Sequence, residues 1–123
     1  MYVFVSATNH GYDSEVYLSD FPFGKVGEIH LAGHAEYHDE TGALLLIDSH
    51  DSAVSDPVWQ LYRSVLDRLG PIPTLIEWDA NVPSLNRLMS EAAKANEMMD
   101  KITHQKPGTR DTAQEASENV VIG

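Results

Sequence analysis

Three short apolar runs that each end in a histidine or an acid constrain this chain more than any other feature. They are Glu28-Ile29-His30-Leu31-Ala32-Gly33-His34, Leu45-Leu46-Ile47-Asp48-Ser49-His50 and Thr74-Leu75-Ile76-Glu77-Trp78-Asp79. Runs of this length with branched side chains read as buried strands. Metal-ligand side chains at or just beyond strand ends are what a barrel of parallel strands presents at its C-terminal face. His30, Asp48, His50 and Glu77 are the ligand candidates on this reading. Imidazole and carboxylate without thiolate favour borderline-to-hard metals such as iron, manganese or zinc over copper(I) or iron–sulfur clusters. The chain has no cysteine, which excludes disulfides and thiol chemistry of its own.

A length of 123 residues suits one domain or part of one, and 42% apolar residues suffice for a core. Nineteen acidic side chains against 8 basic ones give a formal charge of -11, which argues against nucleic acid or an anionic membrane as partner. No stretch of 18 apolar residues and no secretory signal pattern is present, so a cytoplasmic location is expected.

The pattern along the chain alternates strand and helix. Tyr2 to Ala7 is rich in β-branched and aromatic residues and reads as a strand that opens at the start of the chain, as in a truncated barrel. A short helix is expected over Asp13 to Asp20, then a strand over Val26 to Leu31. The segment Ala35 to Gly42 is too short and polar for a parallel crossover, so Glu36 to Asp48 reads as a β-hairpin turning near Glu40-Thr41-Gly42. Asp56 caps a helix with Pro57 at its first position, whose Val58, Trp59, Tyr62, Val65, Leu66 and Leu69 recur at helical spacing before Gly70 and Pro71 stop it. Thr74 to Trp78 is a strand. Pro83 starts a last helix with Leu85, Leu88, Met89, Ala92, Ala95 and Met99 on one face. The expected organisation is α/β: residues 1–103 form a partial TIM (β/α)8 barrel, about three βα units plus the hairpin, and 104–123 form a disordered tail. A whole barrel has eight strands and typically ~250 residues, so this chain would supply its last three.

Side chains two apart on a strand share a face. Asp48 and His50 therefore point together, as do Glu77 and Asp79, and as do Glu28 and His30, while Ile29, Leu31 and Ile76 face the helices. His34 joins His30 only if the chain bends at Gly33, because i,i+4 partners on a strand lie ~13 Å apart. Glu77 in an apolar strand demands a partner, since an unpaired buried carboxylate is costly. Its purely structural alternative is a salt bridge to Arg87 or Arg63, and that of Asp48 is a turn cap. Asn9 and His10 end the first predicted strand, and Asp79 and Asn81 follow the last. With His34 they form a second tier of candidates that would ligate the metal or orient its ligands and substrate. His38 and His104 receive no role.

Val5-Ser6-Ala7-Thr8-Asn9-His10-Gly11, the run from Glu28 to His34, Leu46 to Asp51, Pro57 to Tyr62 and Pro73 to Asp79 together resemble the C-terminal part of the multinuclear non-heme iron-dependent oxidative enzymes. That family includes the iron subunit of methanobactin biosynthesis and was formerly a domain of unknown function. The resemblance covers about residues 2 to 99. It implies a TIM barrel with two or three iron ions at its mouth, and oxygen-dependent modification of ribosomally made peptides, commonly at cysteine. His30, Asp48, His50 and Glu77 match its metal-ligand motifs, with His34 less clearly so. It further implies a precursor peptide as substrate and a second protein that binds its leader. The family's earlier ligands lie upstream of this sequence, which reads as a fragment, a misplaced start, a split enzyme or a decayed copy. An N-terminal complement or self-association is therefore expected. Two other readings compete: a divalent-metal barrel enzyme of the sugar-isomerase type, and a non-catalytic remnant or interaction module.

Overall fold

The computed structural model describes residues 3–105 and 118–122. At its centre is a three-stranded parallel sheet in the order β4-β1-β5, with β1 spanning Val26–Ala32, β4 Thr74–Glu77 and β5 Glu118–Ile122. Ile29 and Leu31 of β1 are fully buried on the face toward helix α3 (Asp56–Leu69), among Val58, Tyr62, Leu66 and Ile122. Ile76 packs against the same cluster, so the expected assignment of apolar residues to the helical side holds. The opposite face of β1 carries Glu28 and His30. Two-residue alternation thus sets core against site.

Helix α3 forms where the sequence pattern places it, with Val58, Trp59, Tyr62, Val65 and Leu66 buried. Its N-cap is Ser55 rather than Asp56, which is the first helical residue. Gly70 ends it at φ 79°, donating its N–H to the Leu66 carbonyl at 2.7 Å. The Tyr62 hydroxyl lies 2.9 Å from Thr74 Oγ1, tying the helix to the start of β4. Burial pushes the Tyr62 phenol above its ordinary value.

The hairpin is also as expected: β2 (Ala35–His38) and β3 (Leu44–Ile47) pair antiparallel, Tyr37 opposite Leu45 and Ala35 opposite Ile47. The Asp39 carboxylate accepts hydrogen bonds from Thr41 N, Thr41 Oγ1 and Ala43 N, while Gly42 takes φ 82°. These bonds hold the Asp39 carboxyl below its usual range. Helix α2 (Ser14–Ser19) is capped by Asp13, whose side chain accepts from Glu15 N.

Three expectations are corrected. The first apolar run is a helix, α1 (Val3–Asn9), not a strand, and Tyr2 lies outside the described residues. The segment satisfies its backbone locally, as in His10 N to Ser6 O at 3.0 Å, and buries Val3, Val5 and Ala7 without a sheet partner among the described residues. Second, the segment from 104 is not wholly a disordered tail: α4 runs Leu85–Gln105 and β5 pairs in parallel with β1, while 106–117 lie outside the described residues. Third, the stripe on α4 is only partly core. Ala95 and Ile102 are buried, but Leu85 and Met89 are 71% and 61% exposed. Met89 lines a pocket with Thr74, Leu75 and Ile76 of β4, which among the described residues has a neighbouring strand on one side only.

Candidate metal centre

The C-terminal ends of β1 and β4 and the segment after β3 converge on two imidazoles and four carboxylates. On β1, His30 Nε2 lies 2.6 Å from Glu28 Oε1, and its Nδ1 lies 3.3 Å from Glu77 Oε2. The other oxygen of Glu77 is 3.4 Å from Nδ1 of His50. His50 Nε2 meets Asp48 Oδ1 at 2.8 Å, and Nδ1 also lies 3.1 Å from Asp79 Oδ2. Glu77 is thus the carboxylate common to both histidines. The structural alternative, a salt bridge from Arg87 or Arg63 to Glu77, does not form among the described residues; Arg87 pairs with Glu91 at 3.1 Å.

Backbone geometry fixes this convergence. His50 is 6% exposed and has φ 48°, a conformation rarely held by non-glycine residues away from functional sites. Its carbonyl accepts the Asp79 N–H at 2.7 Å, so the end of β4 and the segment after β3 are joined through backbone as well as side chain. Gly33 permits the bend after β1: a Cβ there would overlap the backbone and hydroxyl of Ser52. Ser52 Oγ in turn donates to the His34 carbonyl at 3.3 Å.

The donor set fits a cation. His50, Glu77 and Asp79 each offer a ligand atom within 4.8 Å of the others. No lysine or arginine occurs between Lys25 and Arg63, so no permanent cation from that stretch balances these acids. Burial alone would lower the His50 pKa, but the Asp79 hydrogen bond and the charges of Asp48 and Glu77 outweigh it and hold the imidazole above its ordinary value.

A family model described as "RiPP precursor modification enzyme MbnB/TglH/ChrH" matches residues 2–100, most of the chain. The chain belongs to this family. It is similar to UPF0276 proteins of Paraburkholderia phytofirmans (59% identical over 93 residues, 76% of this chain and 30% of the relative). Others come from Rhizobium meliloti (58% over 99 residues, 80% and 32%) and Bordetella parapertussis (50% over 92 residues, 75% and 32%). The chain spans about a third of the length of these curated relatives. No solved structure matches it. The family match takes in every residue of the cluster and leaves β5 outside.

For this member of the MbnB/TglH/ChrH family, the four main candidates from the sequence, His30, Asp48, His50 and Glu77, come together with Asp79. Glu28 joins them; the signal for it was its shared strand face with His30. His34 is not in the group. Its ring lies 5.3 Å from that of Phe4, with Nδ1 buried and without a hydrogen-bond partner among the described residues, and burial lowers its pKa. Asn9 clamps the hairpin: its Nδ2 donates to Leu46 O and its Oδ1 accepts from Leu46 N, both at 2.8 Å. His10 stacks on Tyr12, and Asn81 is an exposed loop residue at φ 49°. No helix among the described residues is long and apolar enough to cross a membrane.

Proposed function

We propose that this chain carries part of the iron centre of an oxidase that modifies cysteine in ribosomally made precursor peptides, on a slice of a TIM barrel. The observation that carries this reading is the sharing of Glu77 between His30 and His50 at the ends of adjacent segments. Membership of a precursor-modification family supports a peptide as substrate. His30, Asp48, His50 and Glu77 would hold the metal, with Asp79 completing the set. Bound iron would supply a site for the substrate thiolate and for the activation of dioxygen.

The chain's own groups orient the donors. Glu28 engages Nε2 of His30 and would fix its ring, a role that carboxylates commonly play beside metal-bound imidazole. The buried position of His50 limits access of water to that side of the site. A leader-binding protein, and an N-terminal complement or a second copy bringing the remaining ligands, are the partners that complete the proposal.

The test is dioxygen uptake by the chain loaded anaerobically with ferrous iron, with and without a cysteine-containing peptide, read with an oxygen electrode and by peptide mass. Uptake and a mass change that both need iron and the cysteine support the proposal. Iron that binds but leaves a serine-substituted peptide and the cysteine peptide equally unchanged counts against the oxidase reading for this chain alone.

A further inference from the structure

One edge of the central sheet is covered by a strand from outside the family match. The match ends at residue 100, whereas β5 pairs in parallel with β1 from Val26 opposite Glu118 to Leu31 opposite Ile122. β4 takes the other edge of β1. β5 therefore makes a central strand of β1, which carries Glu28 and His30, and its register sets Val121 opposite His30.

The two neighbours of β1 are not held alike. β4 is tied at several points: Tyr62 meets Thr74 at its start, Glu77 reaches both histidines at its end, and the Asp79 N–H just beyond it donates to His50 O. β5 has five residues, and its pairing slips in register between Val26 and Glu28. Among the described residues β1 is its only neighbouring strand. Ile122, at its end, is fully buried in the cluster that holds Ile29 and Leu31. A short edge strand that rests on its ladder and an anchor at its last residue opens at lower free energy than the sheet beneath it. Once open, it leaves on β1 a row of unpaired N–H and C=O groups, which is a template for another strand.

We propose that β5 is a detachable latch: it leaves β1 while the rest of the fold persists, and the edge it uncovers accepts an extended segment of the same β-branched kind in parallel. Any strand that adds to this side of the sheet must displace β5 first. The latch thus gates the edge of the strand that bears one half of the candidate metal centre. It does not depend on the metal reading, because it is measured on the metal-free chain.

Amide hydrogen exchange of the full chain measures the opening. The amides of residues 120–122 are expected to exchange at least about a hundredfold faster than that of Ile29, which donates to Pro73 O at 2.9 Å on the β4 side. A fluorescein-labelled peptide with the sequence of residues 114–123 measures the acceptor edge by anisotropy. Ile122→Asp in the full chain should release β5, leave helix content intact by circular dichroism, and bind this peptide at least about tenfold more tightly than the unaltered chain does. The same peptide carrying Ile122→Asp should bind neither chain. Exchange of the β5 and Ile29 amides at one common rate overturns the proposal, because β5 then opens only with the whole fold. An Ile122→Asp chain that loses its helices overturns it for the same reason. So does a folded Ile122→Asp chain that binds neither peptide, or both equally.

Discussion

Replacing Gly33 with alanine is the sharpest structural test of how the cluster is assembled. The added methyl would fall on the carbonyl, carbonyl carbon and hydroxyl of Ser52, two of which are backbone atoms that cannot rotate aside. Relief requires moving the end of β1, which carries His30, away from the segment that carries Asp48 and His50. Forcing a methyl into a packed contact costs about 1–3 kcal/mol, and a clash with backbone puts this site at the upper end. Gly24 offers the control: a Cβ there meets nothing within 4 Å and its φ is not positive. Gly24→Ala should be neutral, or stabilise by up to about 1 kcal/mol through the unfolded chain. Urea unfolding of the metal-free proteins measures both, and metal titration of the folded variants measures the site. Gly33→Ala should lose about 3 kcal/mol and weaken metal binding. Stability within about 0.5 kcal/mol of the Gly24→Ala protein, with unchanged metal affinity, would refute the close approach as the device that joins the two halves.

Other consequences are equally direct. Asn9→Ala leaves the N–H and carbonyl of buried Leu46 without their partners, and should cost about 1–2 kcal/mol in urea unfolding; no loss would mean that water replaces the clamp. Ile122→Ala should cost about 2–5 kcal/mol, because Ile122 is fully buried and belongs to the strand covering one edge of β1; an unchanged unfolding midpoint would deny β5 that role. In the metal-free chain, ring NMR should give His50 a titration midpoint above, and His34 one below, the ordinary histidine value. The stability from protonated His50 is therefore present below about pH 6.5 and fades as pH rises through its folded pKa, whereas His34 lowers stability as pH falls below about 6.5. The reverse order of midpoints would contradict the assigned environments.

What the sequence made legible was local. Helix α3, the hairpin and strands β1 and β4 each carry their own period and punctuation, in Pro57 to Gly70, Asp39 to Gly42 and the alternation around His30 and Glu77. The same alternation puts Glu28 and His30 on one face of β1, whereas Asp48 and His50 lie beyond β3 and meet the others through the left-handed turn at His50. Non-local pairing is what escaped. A short apolar run such as Val3 to Ala7 suits a strand or a helix, and periodicity alone does not choose between them. The signal for β5 was the β-branched triplet Val120-Val121-Ile122 within a polar stretch, and its partner lies about ninety residues earlier on β1. Asn9 was read as a site residue because it ended a predicted strand; that segment is helix α1, and its bonds reach Leu46, across a separation that periodicity does not register. Likewise Leu85 and Met89 carry a core-like period, but burial needs a neighbour beyond β4.

The central claim, that the residues converging on Glu77 form a metal centre, is tested most directly by metal content. The chain and its His50→Ala and Glu77→Ala variants would be loaded anaerobically with ferrous iron, desalted, and assayed by elemental analysis per folded protomer, with circular dichroism as the check on folding. The account predicts stoichiometric iron in the parent chain and its loss in both variants at unchanged helix content. Equal iron in all three, or no iron in a folded parent chain, would contradict it.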